Sequence, residues 1–184
     1  MVTINNEDVR ETYHYLLTLN VIVEKDFQHV KGNKSHLNKL VPSQLSGLYS
    51  QKQQDALKFT DGVTRTLYDA SVVALVTSFE RAVFAKYRTS YGTLRGVVRD
   101  SAAPPLDFFH SRERFINDSI DKLAGILSLI DGIIDDPTME KLKQIKDHRN
   151  YIVHGKRDSI APAIELDIDT IAKTLDNAIT SISN

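Results

Sequence analysis

An arginine and a histidine stand close together near the end of this 184-residue sequence, where they could carry out acid–base and anion chemistry. The segment from Arg149 to His154 is Arg-Asn-Tyr-Ile-Val-His. A histidine can transfer protons near neutral pH, and an arginine guanidinium is a permanently charged fork that matches the oxygens of a phosphate. We therefore take Arg149, Asn150 and His154 as the candidate catalytic residues.

The spacing of these residues limits how they can meet on one helix. His154 lies four residues after Asn150, so the two side chains are about 40° apart around an ideal helix, whereas Arg149 and His154 are about 140° apart. One helix alone does not aim Arg149 and His154 at the same point. They could converge if the last turn distorts at Gly155, or if two copies of the helix face each other across a two-fold axis.

Arg149 is also predicted to point toward packed surface. It lies seven residues after Leu142, on the apolar stripe that contains Ile145 and Ile152. An arginine on such a stripe usually pairs with a carboxylate or lines a cavity that receives an anion, and Glu80 on an earlier apolar helix is the candidate partner. Breaking a buried pair of this kind would cost about 3–5 kcal/mol. Alternatively, the pair is only structural and fixes the register of the two helices.

Basic residues cluster around the same segment, although the formal net charge of the chain is only −1. Any binding of nucleic acid must therefore come from a local patch. The basic residues between positions 141 and 157, apart from histidine, are Lys141, Lys143, Lys146, Arg149, Lys156 and Arg157. Of these, Lys146, Lys156 and Arg157 are the candidate contacts to nucleic acid. The alternative is a solvated helix face.

Apolar residues recur every three or four positions along most of the chain, which predicts an all-α protein. The elements expected first are a helix from the Asn5-Asn6 cap to just before Gly32, a connection over 34–59 in which 51–59 could be a short helix, and a central core helix over 63–87. Gly92, Gly96 and the Pro104-Pro105 pair then mark a long loop, because proline cannot donate to a helix and restrains the residue before it.

Local signals mark the later helices. A helix over 107–134 is expected to end at Asp135-Asp136-Pro137, which also suits the start of the next helix, since an acidic cap followed by proline is typical of a first turn. That next helix should end at Gly155, a favourable C-terminal cap, and a last amphipathic helix follows over 167–183.

Together these elements predict a single domain over 1–184, folded as an antiparallel bundle of four to five helices. The core that carries the candidate residues covers about 63–184, and residues 1–60 supply the N-terminal helix and the connection. A chain of this length can bury roughly 70% of its unfolded surface in one domain.

The composition argues against several kinds of site. The chain has no cysteine, which excludes a disulfide framework, thiolate catalysis and a cysteine-based zinc site. The histidines include no His-Glu-x-x-His pair, and His148 is six residues from His154, so we expect no metal or other cofactor and a surface position for His148. Without a long apolar run or the pattern of a signal peptide, a cytoplasmic location is expected.

The segment from Arg149 to His154, followed by Gly155, resembles the Arg-polar-x-x-x-His signature of the HEPN superfamily. In that family the motif ends the third main helix of a bundle, and a final helix packs back after a loop, as 167–183 is predicted to do. The Phe79-Glu80 pair, after an apolar run, is also similar to the core helix of many HEPN members. The resemblance covers the C-terminal part of the chain well and the first part only loosely.

The resemblance implies a metal-independent endoribonuclease, of a kind often found in toxin–antitoxin, phage-defence or RNA-processing settings. In such an enzyme the 2′-hydroxyl of RNA attacks the adjacent phosphate and leaves a 2′,3′-cyclic phosphate and a 5′-hydroxyl. His154 would transfer protons, Arg149 would stabilise the charged phosphorane, and Asn150 would orient the phosphate or His154.

The implied partners are RNA, a second copy of the chain in a homodimer, and a cognate antitoxin or other partner protein. Lys146, Lys156 and Arg157 would contact the RNA. The alternative is a non-catalytic HEPN-like module that dimerises or binds RNA or protein, in which the pair of Arg149 and Glu80 is structural.

Overall fold

The computed structural model describes residues 2–32, 53–100, 123–155 and 166–183. Five helices account for most of these residues, which contain no β-structure apart from one bridging pair, Asp131 and Ile134. The helices are α1 (Glu7–Gly32), α2 (Gln53–Asp100), α3 (Leu123–Ile130), α4 (Asp136–Val153) and α5 (Ile168–Ser181). None of them, within the described ranges, is long and apolar enough to cross a bilayer. The predicted all-α class is confirmed.

The structure divides the chain into two compact units, residues 1–12 with 72–184 and residues 13–71. The first unit contains α3, α4 and α5 together with the start of α1 and the second part of α2, and the candidate site lies entirely within it. In the second unit the buried side chains among the described residues are Tyr13, Leu16 and Ser71. The single domain and the antiparallel bundle stay predictions.

The first helix begins where the sequence predicts. Asn6 caps α1, since its Oδ1 accepts a hydrogen bond from the backbone N–H of Val9 at 3.2 Å. Two acidic residues occupy the first turn, near the positive end of the helix dipole. The predicted start at the Asn5-Asn6 cap is therefore confirmed, and the helix ends at Gly32 rather than before it.

The second helix is longer than the sequence indicated. α2 runs without a break over 48 residues and ends at Asp100. Gly92 and Gly96 therefore lie inside a helix, and the loop predicted at these two glycines is wrong. One glycine inside a helix costs only about 1 kcal/mol relative to alanine, which the cooperative hydrogen bonding and packing of a long helix can offset. Pro104 and Pro105 lie outside the described residues.

The middle of α2 supplies much of the core in the first unit. Its buried apolar side chains recur every three or four residues at Val72, Leu75, Val76, Phe79, Ala82 and Val83. Val72, Val76, Phe79 and Val83 belong to the apolar stripe predicted for the core helix over 63–87, whereas Leu75 and Ala82 were not part of that prediction. Ser78 on the same side is joined to α1, because its Oγ lies 2.7 Å from the Oγ1 of Thr12. Residues 53–59, where a short helix was suggested, are the first turns of α2.

The helix predicted over 107–134 is described only from Leu123 and ends earlier than expected. α3 stops at Ile130, and Gly132 has a φ of 81° in the turn that follows. The backbone N–H of Ile133 donates to the Ile130 carbonyl oxygen at 3.1 Å and closes this turn. Because positive φ is accessible to glycine at little cost, Gly132 ends a helix that apolar periodicity alone would continue.

The start of α4 is as predicted. Asp135 is its N-cap, with an Oδ1 that accepts from the backbone N–H of Thr138 at 2.9 Å, and Pro137 occupies the first turn. The hydrogen bonds from Thr138 lower the pKa of the Asp135 carboxyl. α4 then packs against both α3 and α5 through a buried stripe that includes Met139 and Leu142.

The last helix is joined to the first by a buried carboxylate. Asp176 on α5 is only 1% exposed. Its oxygens accept from the backbone N–H of Asn5 at 3.0 Å, the backbone N–H of Asn6 at 2.7 Å and the Asn5 amide nitrogen Nδ2 at 3.2 Å. We call this contact the Asp176 clamp. Free N–H groups and the positive end of the α1 dipole offset the cost of burying the charge.

Candidate functional site

The candidate site lies at the C-terminal end of α4. His154 is the C-cap, and its backbone N–H donates to the Asn150 carbonyl oxygen at 2.9 Å, while the N–H of Gly155 donates to that of Ile152 at 3.0 Å. Gly155 has a φ of 71°, so the predicted glycine cap is confirmed. Because the helix stops here, the side chain of His154 is exposed beyond the last turn.

Arg149 lies one turn before this end and is half-buried. Its Nη1 donates to the side-chain Oδ1 of Asn150 at 3.2 Å, whereas its Nε is buried and has no hydrogen-bond partner among the residues that the structure describes. Since Asn150 lies only about 40° from His154 around an ideal helix, this bond draws the guanidinium toward the face that carries His154. Arg149 and Asn150 are thus brought together, and within the described ranges no hydrogen bond joins either side chain to that of His154.

The hydrogen bond also fixes the role that Asn150 can play. The amide oxygen of Asn150 accepts from Arg149, which leaves its NH2 group as the end that can donate. The guanidinium and this NH2 group are both donors with no acceptor lone pair of their own. Together they form a donor pair suited to an anion.

Glu80 on α2 lies within electrostatic reach of Arg149. Burial raises the pKa of the Glu80 carboxyl, and the positive charge of Arg149 opposes that effect. The two side chains nevertheless form no direct ion pair in the described part of the chain, so the predicted Glu80–Arg149 pair is wrong as a contact. Both side chains keep part of their surface in water, and the loss of about 3–5 kcal/mol expected for a fully buried pair does not apply.

The predicted position of His148 on this helix is wrong. It was expected at the surface, but it is 6% exposed and continues the buried stripe of Leu142 and Ile145. Positions three and four residues after Ile145 both lie near that stripe, so periodicity alone does not decide between His148 and Arg149. The packing of α4 against its neighbours places His148 inside and leaves Arg149 at the edge.

The lysines of α4 lie on different sides of the helix. Lys143, Asn150 and His154 fall within about 40° of one another around an ideal helix, and Lys146 lies beside them, about 60° from Lys143. Lys141 lies about 160° from Lys143, on the opposite side. A row of polar and basic side chains therefore leads along one face of α4 toward its C-terminal end.

Of the three candidate nucleic-acid contacts, the structure describes one. Lys146 has its Nζ 3.2 Å from the Oδ1 of Asp147, in an ion pair that is partly open to water. Lys156 and Arg157 lie outside the described residues.

A surface cleft that the sequence did not reveal opens between α3 and α4. It has a volume of about 250 Å³ and is lined by Ala124, Leu127, Ser128, Asp131, Met139, Lys143 and Lys146. Its residues come from two helices and the turn between them. A pattern within one helix could not predict it, because the cleft depends on how α3 packs against α4.

Searches of family models, curated proteins and solved structures find no match to this chain. A function must therefore be argued from the residues at the end of α4 and from their surroundings.

Proposed function

We propose that this protein is a metal-independent endoribonuclease of the HEPN type, folded as a helical bundle. The observation that carries the proposal is the hydrogen bond from Arg149 to Asn150 beside the exposed His154. A guanidinium, an amide and a histidine open to water are grouped within the last turns of one helix. Those groups can bind a phosphate and move a proton, which are the two tasks of RNA cleavage by transesterification.

In the proposed reaction the 2′-hydroxyl oxygen of RNA attacks the adjacent phosphorus atom. A general base accepts the 2′-hydroxyl proton, and a general acid donates a proton to the departing 5′-oxygen, so that the products are a 2′,3′-cyclic phosphate and a 5′-hydroxyl. Arg149 stabilises the negative charge that develops on the phosphorane, and the NH2 group of Asn150 donates to one of its oxygens. His154 supplies the proton transfers.

The acid and the base call for two proton-transfer groups, while each chain offers one histidine in this motif. A homodimer whose two α4 ends face each other across a two-fold axis would supply both. The neighbouring Val153 is an apolar side chain that is 51% exposed, and its burial would favour such a contact. His154 of the partner subunit would then approach Arg149, which solves the angular separation of the two residues on one helix.

A cleavage assay in excess chelator tests the ribonuclease proposal. Wild-type protein should cut single-stranded RNA and leave 2′,3′-cyclic phosphate ends, and His154→Ala should cut about 10²–10⁴-fold more slowly while it stays folded. His14→Ala removes another exposed histidine and is the matched control, with activity like that of the wild type. A wild-type rate for His154→Ala would exclude His154 as a catalytic residue, and a wild-type protein that cleaves no RNA would end the proposal.

The homodimer has a separate test. Activity per chain should fall as the protein is diluted through the range in which the dimer dissociates, as measured by mass photometry or sedimentation velocity at the same concentrations. A protein that remains monomeric and still cleaves at full rate would show that each chain carries a complete site.

A non-catalytic HEPN-like module is the second candidate. The interaction of the Arg149 charge with Glu80 favours it, because it gives the arginine a structural role that needs no substrate. In that case Arg149→Ala lowers the thermal stability, whereas His154→Ala changes neither stability nor binding. RNA binding or self-association without any cleavage would support this candidate over the enzyme.

A further inference from the structure

The cleft between α3 and α4 shares the helix α4 with the candidate site. Lys143 and Lys146 line the cleft. Lys143 also lies on the face of α4 that carries Asn150 and His154, and the distance from Lys143 to His154 is about 16 Å along an ideal helix axis. A flexible polymer bound in the cleft can therefore follow one helix face to the end of α4.

The cleft has an apolar floor. Leu127 and Met139, both buried, lie among its lining residues, and the exposed Ala124 and Ser128 lie on the α3 side. Its volume of about 250 Å³ is below the roughly 300–1,000 Å³ of pockets for drug-sized ligands. The cleft suits a flat group about the size of one nucleobase, whose faces can bury apolar surface against Leu127 and Met139.

The charges around the cleft are not uniform. Lys143 and Lys146 carry positive charge along α4, whereas Asp131 carries negative charge at the end of α3. The ion pair between Lys146 and Asp147 is partly exposed, and such pairs stabilise a protein only weakly, so the ammonium can exchange the carboxylate for a phosphate. A bound polyanion should therefore run along α4 and keep its phosphates away from Asp131.

We infer that this surface holds the single-stranded RNA that flanks the scissile phosphate. One unpaired base enters the cleft, Lys143 and Lys146 contact the phosphates beside it, and the strand continues along α4 to Arg149 and His154. The inference rests on the proposed ribonuclease function and names its substrate class, an RNA with an unpaired base near the cleavage position. Duplex RNA is a poor substrate because its bases are stacked and paired.

Binding of an RNA that cannot be cleaved tests whether Lys143 and Lys146 contact phosphates. A fluorescent single strand with 2′-O-methyl groups lacks the nucleophile, so anisotropy reports binding alone. The logarithm of affinity should fall with the logarithm of salt concentration, and each phosphate contact adds about 0.7 to the slope for a single strand. Lys143→Gln and Lys146→Gln should each reduce the slope by about 0.7. Lys141→Gln, on the opposite side of α4, is the matched control and should leave the slope unchanged.

Filling the cleft with a larger side chain tests whether an RNA base binds there. Ala124→Leu adds an apolar side chain at an exposed lining position without altering the charge, so it should weaken binding while the salt slope stays the same. Ala85→Leu makes the same change at an exposed position of α2 and should bind like the wild type. Wild-type affinity for Ala124→Leu would exclude the cleft as the site of a base.

The outcomes separate this inference from the proposed function. Suppose that the wild type cleaves RNA while Lys143→Gln and Lys146→Gln bind it like Lys141→Gln. This result would overturn the binding of RNA along the cleft and α4, but the ribonuclease proposal would remain. Binding that depends on Lys143 and Lys146 without any cleavage would support the binding of RNA along the cleft and α4 and overturn the ribonuclease proposal. A wild-type protein that neither binds nor cleaves single-stranded RNA would overturn both.

Discussion

The Asp176 clamp and the C-terminal end of α4 both place a charged group on a packed helix, but the two charged groups differ in how fully they are hydrogen-bonded. Asp176 is 1% exposed, and each of its oxygens accepts hydrogen bonds from the start of α1. Arg149 is half-buried, makes one hydrogen bond to its neighbour Asn150, and keeps a buried Nε without a partner in the described residues. The first charge is satisfied within the fold, and the second is not.

The difference separates a structural polar group from one that is available to a ligand. A fully hydrogen-bonded carboxylate stabilises the native state and has no remaining capacity to bind anything else. A guanidinium with unsatisfied donors at the edge of a core gains when an anion arrives. Substitutions at the two regions should therefore change different properties of the protein.

The largest expected effect is on activity at the end of α4. Arg149→Ala should slow RNA cleavage by about 10²–10³-fold, because it removes a cation that stabilises the phosphorane, and Arg149→Lys should recover only part of the rate, since an ammonium lacks the planar fork. Single-turnover cleavage rates and thermal melts measure both properties. If Arg149→Ala lost stability and kept its rate, the end of α4 would be a structural contact like the clamp.

The next largest effect is on stability at the clamp. Asp176→Ala should lower the free energy of unfolding by about 3 kcal/mol, because the donors at the start of α1 lose a charged acceptor. For a chain of this size that corresponds to a fall of about 6–12 °C in the melting temperature. Asn177→Ala, at the exposed neighbouring position of α5, is the control. A melting temperature equal to that of the control would mean that the clamp contributes little to the fold.

A smaller effect is expected for Glu80, whose pKa is raised above its usual value of 4.5. A raised folded pKa means that the protonated carboxyl is favoured, so this contribution to stability is present below the unfolded pKa and is lost as the pH rises through the folded pKa. Glu80→Gln should therefore be more stable than the wild type at neutral pH, by no more than about 1 kcal/mol because the side chain is partly exposed. The gain should disappear in acid. Denaturant unfolding across pH measures it, and a less stable Glu80→Gln at neutral pH would restore a favourable Glu80–Arg149 pair.

The smallest effect concerns the helix caps, where the pKa values are lowered rather than raised. Asp135 is the N-cap of α4 and Asp167 is the N-cap of α5. Hydrogen bonds from Thr138 and Thr170 lower the pKa values of these two carboxyls below their usual 3.8. Their contribution is present above the unfolded pKa and is lost as the pH falls through the folded pKa. Asparagine is also a good N-cap but carries no charge, so Asp135→Asn and Asp167→Asn should be slightly less stable than the wild type at neutral pH and equal to it in strong acid. An unchanged difference across pH would contradict this account.

The starts of α1 and α4 and the end of α4 could be predicted from the sequence, because each of these caps lies within one turn of the helix end. Asn6 and Asp135 bond to N–H groups only three residues away, and Gly155 ends α4 through its own backbone conformation. Such signals are local and are visible in a single sequence. Gly92 and Gly96 show the limit of the same approach, because a glycine marks a helix end only when the surrounding structure does not continue the helix.

The candidate site could be predicted only in part. The residue types and order from Arg149 to His154 are in the sequence, but the orientation of the guanidinium toward Asn150 is not. The burial of His148 in place of Arg149 depends on the packing of α4 against α3 and α5. The cleft at Lys143 likewise requires two packed helices, and no periodicity within α4 indicates it.

The Asp176 clamp could not be predicted from the sequence, for a related reason. Asp176 lies between apolar positions of an amphipathic helix, where a single acid usually faces solvent. Its partners are 170 and 171 residues away along the chain. A contact between positions that far apart leaves no local pattern, and one sequence alone does not show which pairs of positions meet.

The same separation sets an order of events during synthesis. The start of α1 is translated before α5, because the carboxylate that accepts from Asn6 is encoded 170 residues later. At about 5–20 residues per second, a ribosome needs on the order of 10–30 s to reach it. Until then the N–H groups at the start of α1 have only the local cap from the Asn6 side chain, and a nascent chain that stalls before α5 cannot form the Asp176 clamp.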